Sequence, residues 1–215
     1  MSNSVKPLQI DIVSDIVCPW CVVGYRQLAE ALKATKTEHE IHWHPYQLNP
    51  DMPPEGQNMG EHLAEKYGIS AEQSKENRQR ITAAGAELGF KFNFTEDLRM
   101  HNTFNAHQLL HWAGQKGLQN ELKQAFFAAH FTDNLNLADP EVLVAIAADV
   151  GLDKTEALAI IEDQRFAKEV SEAENTSRQQ GVQGVPAIIF NQKHLVSGAQ
   201  GVENFKQILG QLADM

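Results

Sequence analysis

Only two cysteines occur in 215 residues, and they stand three positions apart, as Cys18 and Cys21. A bridge between them would close too short a loop to take much entropy from the unfolded chain, which excludes a structural disulfide framework. The two sulfurs are left with chemistry or with half of a metal site. Basic residues are also few, 18 Lys and Arg against 28 Asp and Glu, for a net charge of −10. With no basic block, binding to phosphate backbones or anionic lipid is electrostatically opposed, so neither nucleic acid nor membrane is an expected partner. Long apolar runs are missing too, since nothing approaches the ~20 residues that span a bilayer. Gln9, Asp11 and Asp15 interrupt every early stretch that could form the apolar core of a secretory signal. The expected location is the cytoplasm.

With 42% hydrophobic residues the chain can bury a sizeable core, as one large domain or a small domain carrying an insertion. Leu8 to Val13 alternates apolar residues with Gln9 and Asp11 and reads as a strand. A helix is expected from Pro19 to Ala34, then a short strand from Ile41 to Tyr46, with Pro45 at its end or on a sheet edge. Gln47 to Gln57, with three prolines, reads as a loop. From Asn58 to Gln180 the pattern is almost entirely helical. Ser70 opens a helix with a capping-box spacing and Gly89 closes it. Further helices are expected over Asn102–Lys116, Leu118–Phe131, Pro140–Val150 with Asp139 as N-cap, Lys154–Ile161 and Asp163–Gln180. Ala187–Phe190 and His194–Val196 form a hairpin, and Val202–Leu212 a last amphipathic helix. Without its middle, this order is βαβ followed by ββα. The expected class is therefore α/β, a thioredoxin-like domain over residues 1–57 and 181–215, with an all-helical insertion over 58–180.

The cysteine spacing carries chemistry. Cys18 falls at an N-cap, Pro19 at the first helical position, where its missing N–H costs nothing, and Cys21 at the third. Both sulfurs then share one side, and the helix start is expected to favour a Cys18 thiolate. Cys18 would attack a disulfide and Cys21 would resolve the mixed disulfide, or the reverse for oxidation. Zinc also uses Cys-x-x-Cys but wants four ligands. His42 with His44, or His107 with His111, could complete a site in principle, yet neither pair has an obvious partner spacing. The place of the pair, after a strand and at a helix start, points to redox work, and no metal is expected. Asp15 either tunes the thiols or caps the loop, and Asp11 is a candidate proton acceptor for Cys21. Gly184-Val185-Pro186 precedes a strand. In a thioredoxin-like fold it resembles the cis-proline facing the cysteines, where the backbone of Val185 pairs with a substrate peptide.

Ser14-Asp15-Ile-Val-Cys-Pro-Trp-Cys-Val-Val-Gly24, Gly181-Val-Gln-Gly-Val-Pro186 with Phe190, and Asn102-Thr-Phe-Asn-Ala-His-Gln-Leu109 together resemble the DsbA-like superfamily. Within it the chain is most similar to the cytoplasmic FrnE branch, described as predicted dithiol–disulfide isomerases. The likeness covers essentially the whole chain, with Gln108 where an arginine is expected. It implies a DsbA-like oxidoreductase or isomerase with Cys18 and Cys21 as the working pair. It further implies that Pro19, Trp20, Val185, Pro186, Asn102 and His107 border the substrate cleft, Trp20 as an apolar contact surface. The implied partners are disulfide-containing proteins or small thiols. No resident cofactor is expected, glutathione is a candidate redox partner, and a homodimer is a candidate assembly.

A different reaction class shares this layout. Kappa-class glutathione transferases and 2-hydroxychromene-2-carboxylate isomerases resemble it, but typically offer one serine or thiol-activating group where Cys18 stands. Retention of both cysteines argues against them. A non-catalytic holdase or zinc module is the third alternative. Direction of electron flow is not set by the motif, because dithiol proteins of this type span roughly −270 to −120 mV.

Overall fold

The computed structural model describes residues 6–213. The outer ends of the expected division, 1–5 and 214–215, lie outside the described residues. Strand β1 (Leu8–Ser14) runs into helix α1 (Pro19–Thr35), and β2 (His39–Pro45) follows. Strands β5 (Ala187–Phe190) and β6 (His194–Ser197) and helix α9 (Val202–Ala213) come after the long middle. The four strands form one sheet in the order β2-β1-β5-β6, with β1 and β2 parallel and the other pairs antiparallel. Parallel pairing carries β2 back to His39, opposite Leu8, and ends it at Pro45, opposite Ser14. Pro45 therefore lies both at a strand end and on a sheet edge, where its missing N–H breaks no ladder. Asn191 and Gln192 take positive φ and turn the β5–β6 hairpin.

β1 is central, and alternate residues serve opposite faces. Ile10 and Ile12 pack with Cys21, Leu28 and Phe205 beneath α1 and α9. Asp11 and Val13 face the other way, toward Ala173 and Ser177. This overturns the reading of Asp11 as a proton acceptor for Cys21. It sits on the opposite face, 2.8 Å from His44 Nε2 and accepting from Gln9.

The middle holds α2 (Met59–Tyr67), α3 (Ala71–Glu87), α4 (Phe104–Gln115), α5 (Gln119–Phe131), α6 (Pro140–Asp149), α7 (Lys154–Asp163) and α8 (Ala167–Gln179). Ser70 and Gln73 make the reciprocal capping box, and Asp139 caps α6 ahead of Pro140. The segment is less uniformly helical than expected. β3 (Gln57–Asn58) pairs with β4 (Arg99–Met100), so the boundary expected at 57/58 falls within a strand whose second residue also caps α2. Residues 90–94 are non-helical because Phe90, Phe92 and Phe94 alternate, and an extended chain lays their rings against one another and Phe131. Gln164 at φ 55 ends α7, so α8 starts at Ala167 rather than Asp163.

Three consecutive residues direct this packing. Ile16 enters the core of α4–α7 with Leu109, Trp112, Phe126 and Ile160. Val17 packs with Met52, Met59, Leu98 and Met100. Cys18 joins the cluster under α1, which also takes Trp43 and Phe127. Phe127 is fully buried and places α5 against β2. Phe127→Ala is expected to cost about 3–5 kcal/mol, read as a fall in the urea unfolding midpoint at unchanged slope.

Candidate active site

Cys18 is the N-cap of α1, Pro19 its first residue and Cys21 its third. Both thiols are free. Cys21 is fully buried, whereas Cys18 keeps 5% of its surface exposed. The Cys18 thiol donates to the Val185 carbonyl at 3.6 Å, and the Val185–Pro186 peptide is cis. Gly24, one turn beyond Cys21, lets the helix approach this loop. A Cβ there would stand 3.1 Å from Pro186 Cγ. Pro19 and Trp20 are half-buried beside the pair, with Trp20 packed against the sheet cluster.

The ionisation of the pair departs from expectation. Interaction with the Cys21 sulfur and burial raise the Cys18 pKa well above that of an ordinary thiol, while the Cys21 amide lowers it in part. For Cys21 burial also opposes ionisation, but the Cys18 thiol, Ser14 hydroxyl, Lys123 charge and Asp15 amide outweigh it and lower its pKa. The helix start does not offset the rise at Cys18: the Cys18 side chain makes no capping bond, and the Cys21 amide, which donates to the Cys18 carbonyl, lowers the Cys18 pKa only in part.

Asp15 does both things read for it. It is fully buried; its Oδ1 accepts from the Ile16 amide at 2.7 Å and its Oδ2 from the Leu48 amide at 2.8 Å. Its negative charge also opposes a Cys18 thiolate. Burial would raise its own pKa, but the His107 hydrogen bond and charge, the Leu48 amide and Lys123 hold it below the usual carboxylate value. His107 Nε2 lies 3.3 Å from Oδ1. His107 is thus not a cleft wall. It is 2% exposed and reaches the site from behind. Asn102 precedes α4 rather than lying in it, and its side chain bonds the Pro50 carbonyl and the Phe104 amide. Gln108 stands in for the expected arginine by tying α4 to Gln164 and the Phe166 amide.

Two groups near the site escaped the sequence reading. Lys123 is buried against the Ser14 carbonyl at 3.5 Å. His130 is fully buried with neither ring nitrogen hydrogen-bonded. Lys123, Phe127 and His130 share i, i+4, i+7 spacing, so a lysine on the apolar stripe of α5 was the available signal. Among the described residues no cluster of three or more His, Cys, Asp or Glu could hold a metal, and no helix is long and apolar enough to cross a membrane.

A Cys-x-x-Cys helix start facing a cis-proline loop, on a β2-β1-β5-β6 sheet interrupted by helices, defines a thioredoxin-like fold of DsbA type. The chain belongs to the DSBA-like thioredoxin domain family, whose model matches residues 9–210. It is similar to the probable DsbA oxidoreductase of Streptomyces coelicolor, at 34% identity and TM-score 0.91, covering 96% of this chain and 90% of that one. Two solved structures share the fold at lower identity. One is a 2-hydroxychromene-2-carboxylate isomerase, at 13% identity, TM-score 0.69 and 95% and 96% coverage. The other is the cytosolic disulfide reductase DsbM of Pseudomonas aeruginosa with GSH, at 15% identity, TM-score 0.67 and 96% and 100% coverage.

His130 makes stability pH-dependent. Burial, with His101 adding to it, pushes its pKa down to about 3, against 6.5 in the unfolded chain. The unfolded state alone takes up this proton between those values, so stability is lost as pH falls below about 6.5. Asp15, depressed instead, costs stability only once pH falls below about 4. Between these limits wild-type unfolding free energy should fall by up to about 1.4 kcal/mol per pH unit from His130. His130→Leu should remove that share of the slope in urea unfolding at several pH values.

Proposed function

We propose that this chain is a dithiol–disulfide oxidoreductase or isomerase of the FrnE-like branch, working in the cytoplasm on protein or small-molecule disulfides through Cys18 and Cys21. The observation that carries the reading is Cys18, the more exposed of the two thiols, set against the Val185 carbonyl with Cys21 buried beside it. A client strand lying along Val185 brings its disulfide to Cys18. Cys18 attacks as thiolate, the client's first sulfur leaves, and Cys21 then attacks Cys18 to release the second. The electron pair ends on the client. Two cysteines in the whole chain, both in this pair, suit a reducing compartment. Glutathione is the small thiol we propose as redox partner, supported by the fold shared with the GSH-bound DsbM.

The isomerase and glutathione-transferase alternative shares the fold but needs one reactive group. Equilibration in glutathione buffers, followed by alkylation of free thiols, separates the readings. An internal Cys18–Cys21 disulfide should form with a measurable potential. Cys21→Ser should accumulate a glutathione adduct on Cys18 and lose dithiol turnover to background. A pair that stays reduced at every glutathione ratio, or conjugating activity that survives Cys21→Ser, would sink the dithiol reading.

A further inference from the structure

Away from the cysteines, β2, α4, α5 and α8 enclose a cavity of about 350 Å³, a size that suits a small ligand. Cys18, Trp20, Val185 and Pro186 do not line it. Trp43, Pro45, Leu110 and Ala173 give it apolar walls, and Lys123 and His107, 1% and 2% exposed, close its inner end. Its one acid, Glu169, is exposed, and its remaining titratable groups are His42, His44 and His111. Buried cations are normally paired. Lys123 is not, since none of the ion pairs among the described residues includes it. Its Nζ makes one long hydrogen bond, 3.5 Å to the Ser14 carbonyl. Otherwise it lies 5.2 Å from the ring centroid of Trp43, itself a cavity wall, and 4.9 Å from that of Phe127. An ammonium carries three donors, so this one is under-satisfied among the described residues. The Asp15 charge acts on it, but the Asp15 oxygens already serve the Ile16 and Leu48 amides and His107. Burial lowers the Lys123 pKa to about 8, so the group is a cation at pH 7.

We propose that this cavity binds a small carboxylate with an apolar body, the carboxylate accepting the unmet donors of Lys123 and the body lying between Trp43, Pro45, Leu110 and Ala173. The site goes beyond the dithiol reading and does not depend on it. Two features select this ligand chemistry. One fixed cation at the buried end balances one negative charge, and a charge-assisted hydrogen bond made out of water is the strong kind. The apolar walls match a hydrocarbon body, whereas inorganic phosphate has nothing to set against Trp43 and Leu110. Glu169, on the exposed side, repels a carboxylate that enters the other way round, so the acid end is held inward. In a chain of net charge −10 the buried end of this cavity is a local exception, and a carboxylate supplies the partner that Lys123 lacks.

The test uses the full chain at about pH 7, with hexanoate as probe and hexanamide, of the same shape but uncharged, as control. Nuclear magnetic resonance shifts of backbone amides and indole N–H groups report both affinity and place. Hexanoate should shift the Trp43 indole and the Gly114 and Gln119 amides with a Kd of about 1 mM or tighter, and hexanamide should bind about tenfold or more weakly. Lys123→Met keeps the apolar stem but not the ammonium, so it should weaken hexanoate about tenfold or more and leave hexanamide unchanged. Gly114→Leu fills the cavity from α4, where a Cβ meets only the Gln119 side chain at 3.4 Å or more, and should abolish binding of both. Cys18→Ser with Cys21→Ser should bind hexanoate as the wild type does, which separates this site from the cysteine pair. Equal binding of the two probes to the wild type, no saturable shift, or shifts that avoid the cavity overturns the proposal, and these outcomes need no variant to fold. Unchanged hexanoate affinity in folded Lys123→Met or Gly114→Leu, or its loss with both cysteines replaced, overturns it as well.

Discussion

A carboxylate shut away from water anchors this molecule. Asp15 sits where β1 ends, and burying an unpaired charge there would cost several kcal/mol. It is tolerated because the Ile16 and Leu48 amides, His107 and Lys123 converge on it. Those partners come from the turn, the loop after β2, α4 and α5, so the acid ties four parts of the chain to one point. From that point Ile16, Val17 and Cys18 enter three different hydrophobic clusters.

The helical segment is consequently part of the site. His107 and Lys123 both come from it, one holding the acid and the other facing the inner thiol. Donors gather at Cys21 and favour its ionisation, while the Cys18 thiol donates to the Val185 carbonyl.

Much of the framework was legible along the chain. Pro19 between two cysteines marked a helix start, Ser70 and Asp139 marked caps, and the alternation of Leu8 to Val13 marked a strand. Each of these signals acts within one turn or one strand of the residue that carries it. Asp11 misled for the complementary reason: alternation says that it faces opposite to Ile10 and Ile12, but not which face the reactive helix covers. The alternating phenylalanines at 90–94 were absorbed into a helical pattern because their ring partner, Phe131, lies in another element. Asn102 and His107 were read as cleft residues from their motif, whereas packing turned one to loop carbonyl and amide groups and the other to Asp15.

By itself the sequence determined the place of two cysteines at a helix start, the strand-then-helix geometry around them, and the order of elements that makes a thioredoxin-like sheet with a helical interruption. These follow from spacing, capping and periodicity, which are local. Only the tertiary structure decided that Lys123 and His130 are buried and that Asp15 is an anchor. Those outcomes depend on desolvation and on charges brought together from residues 15, 107 and 123, distances that no short-range pattern encodes.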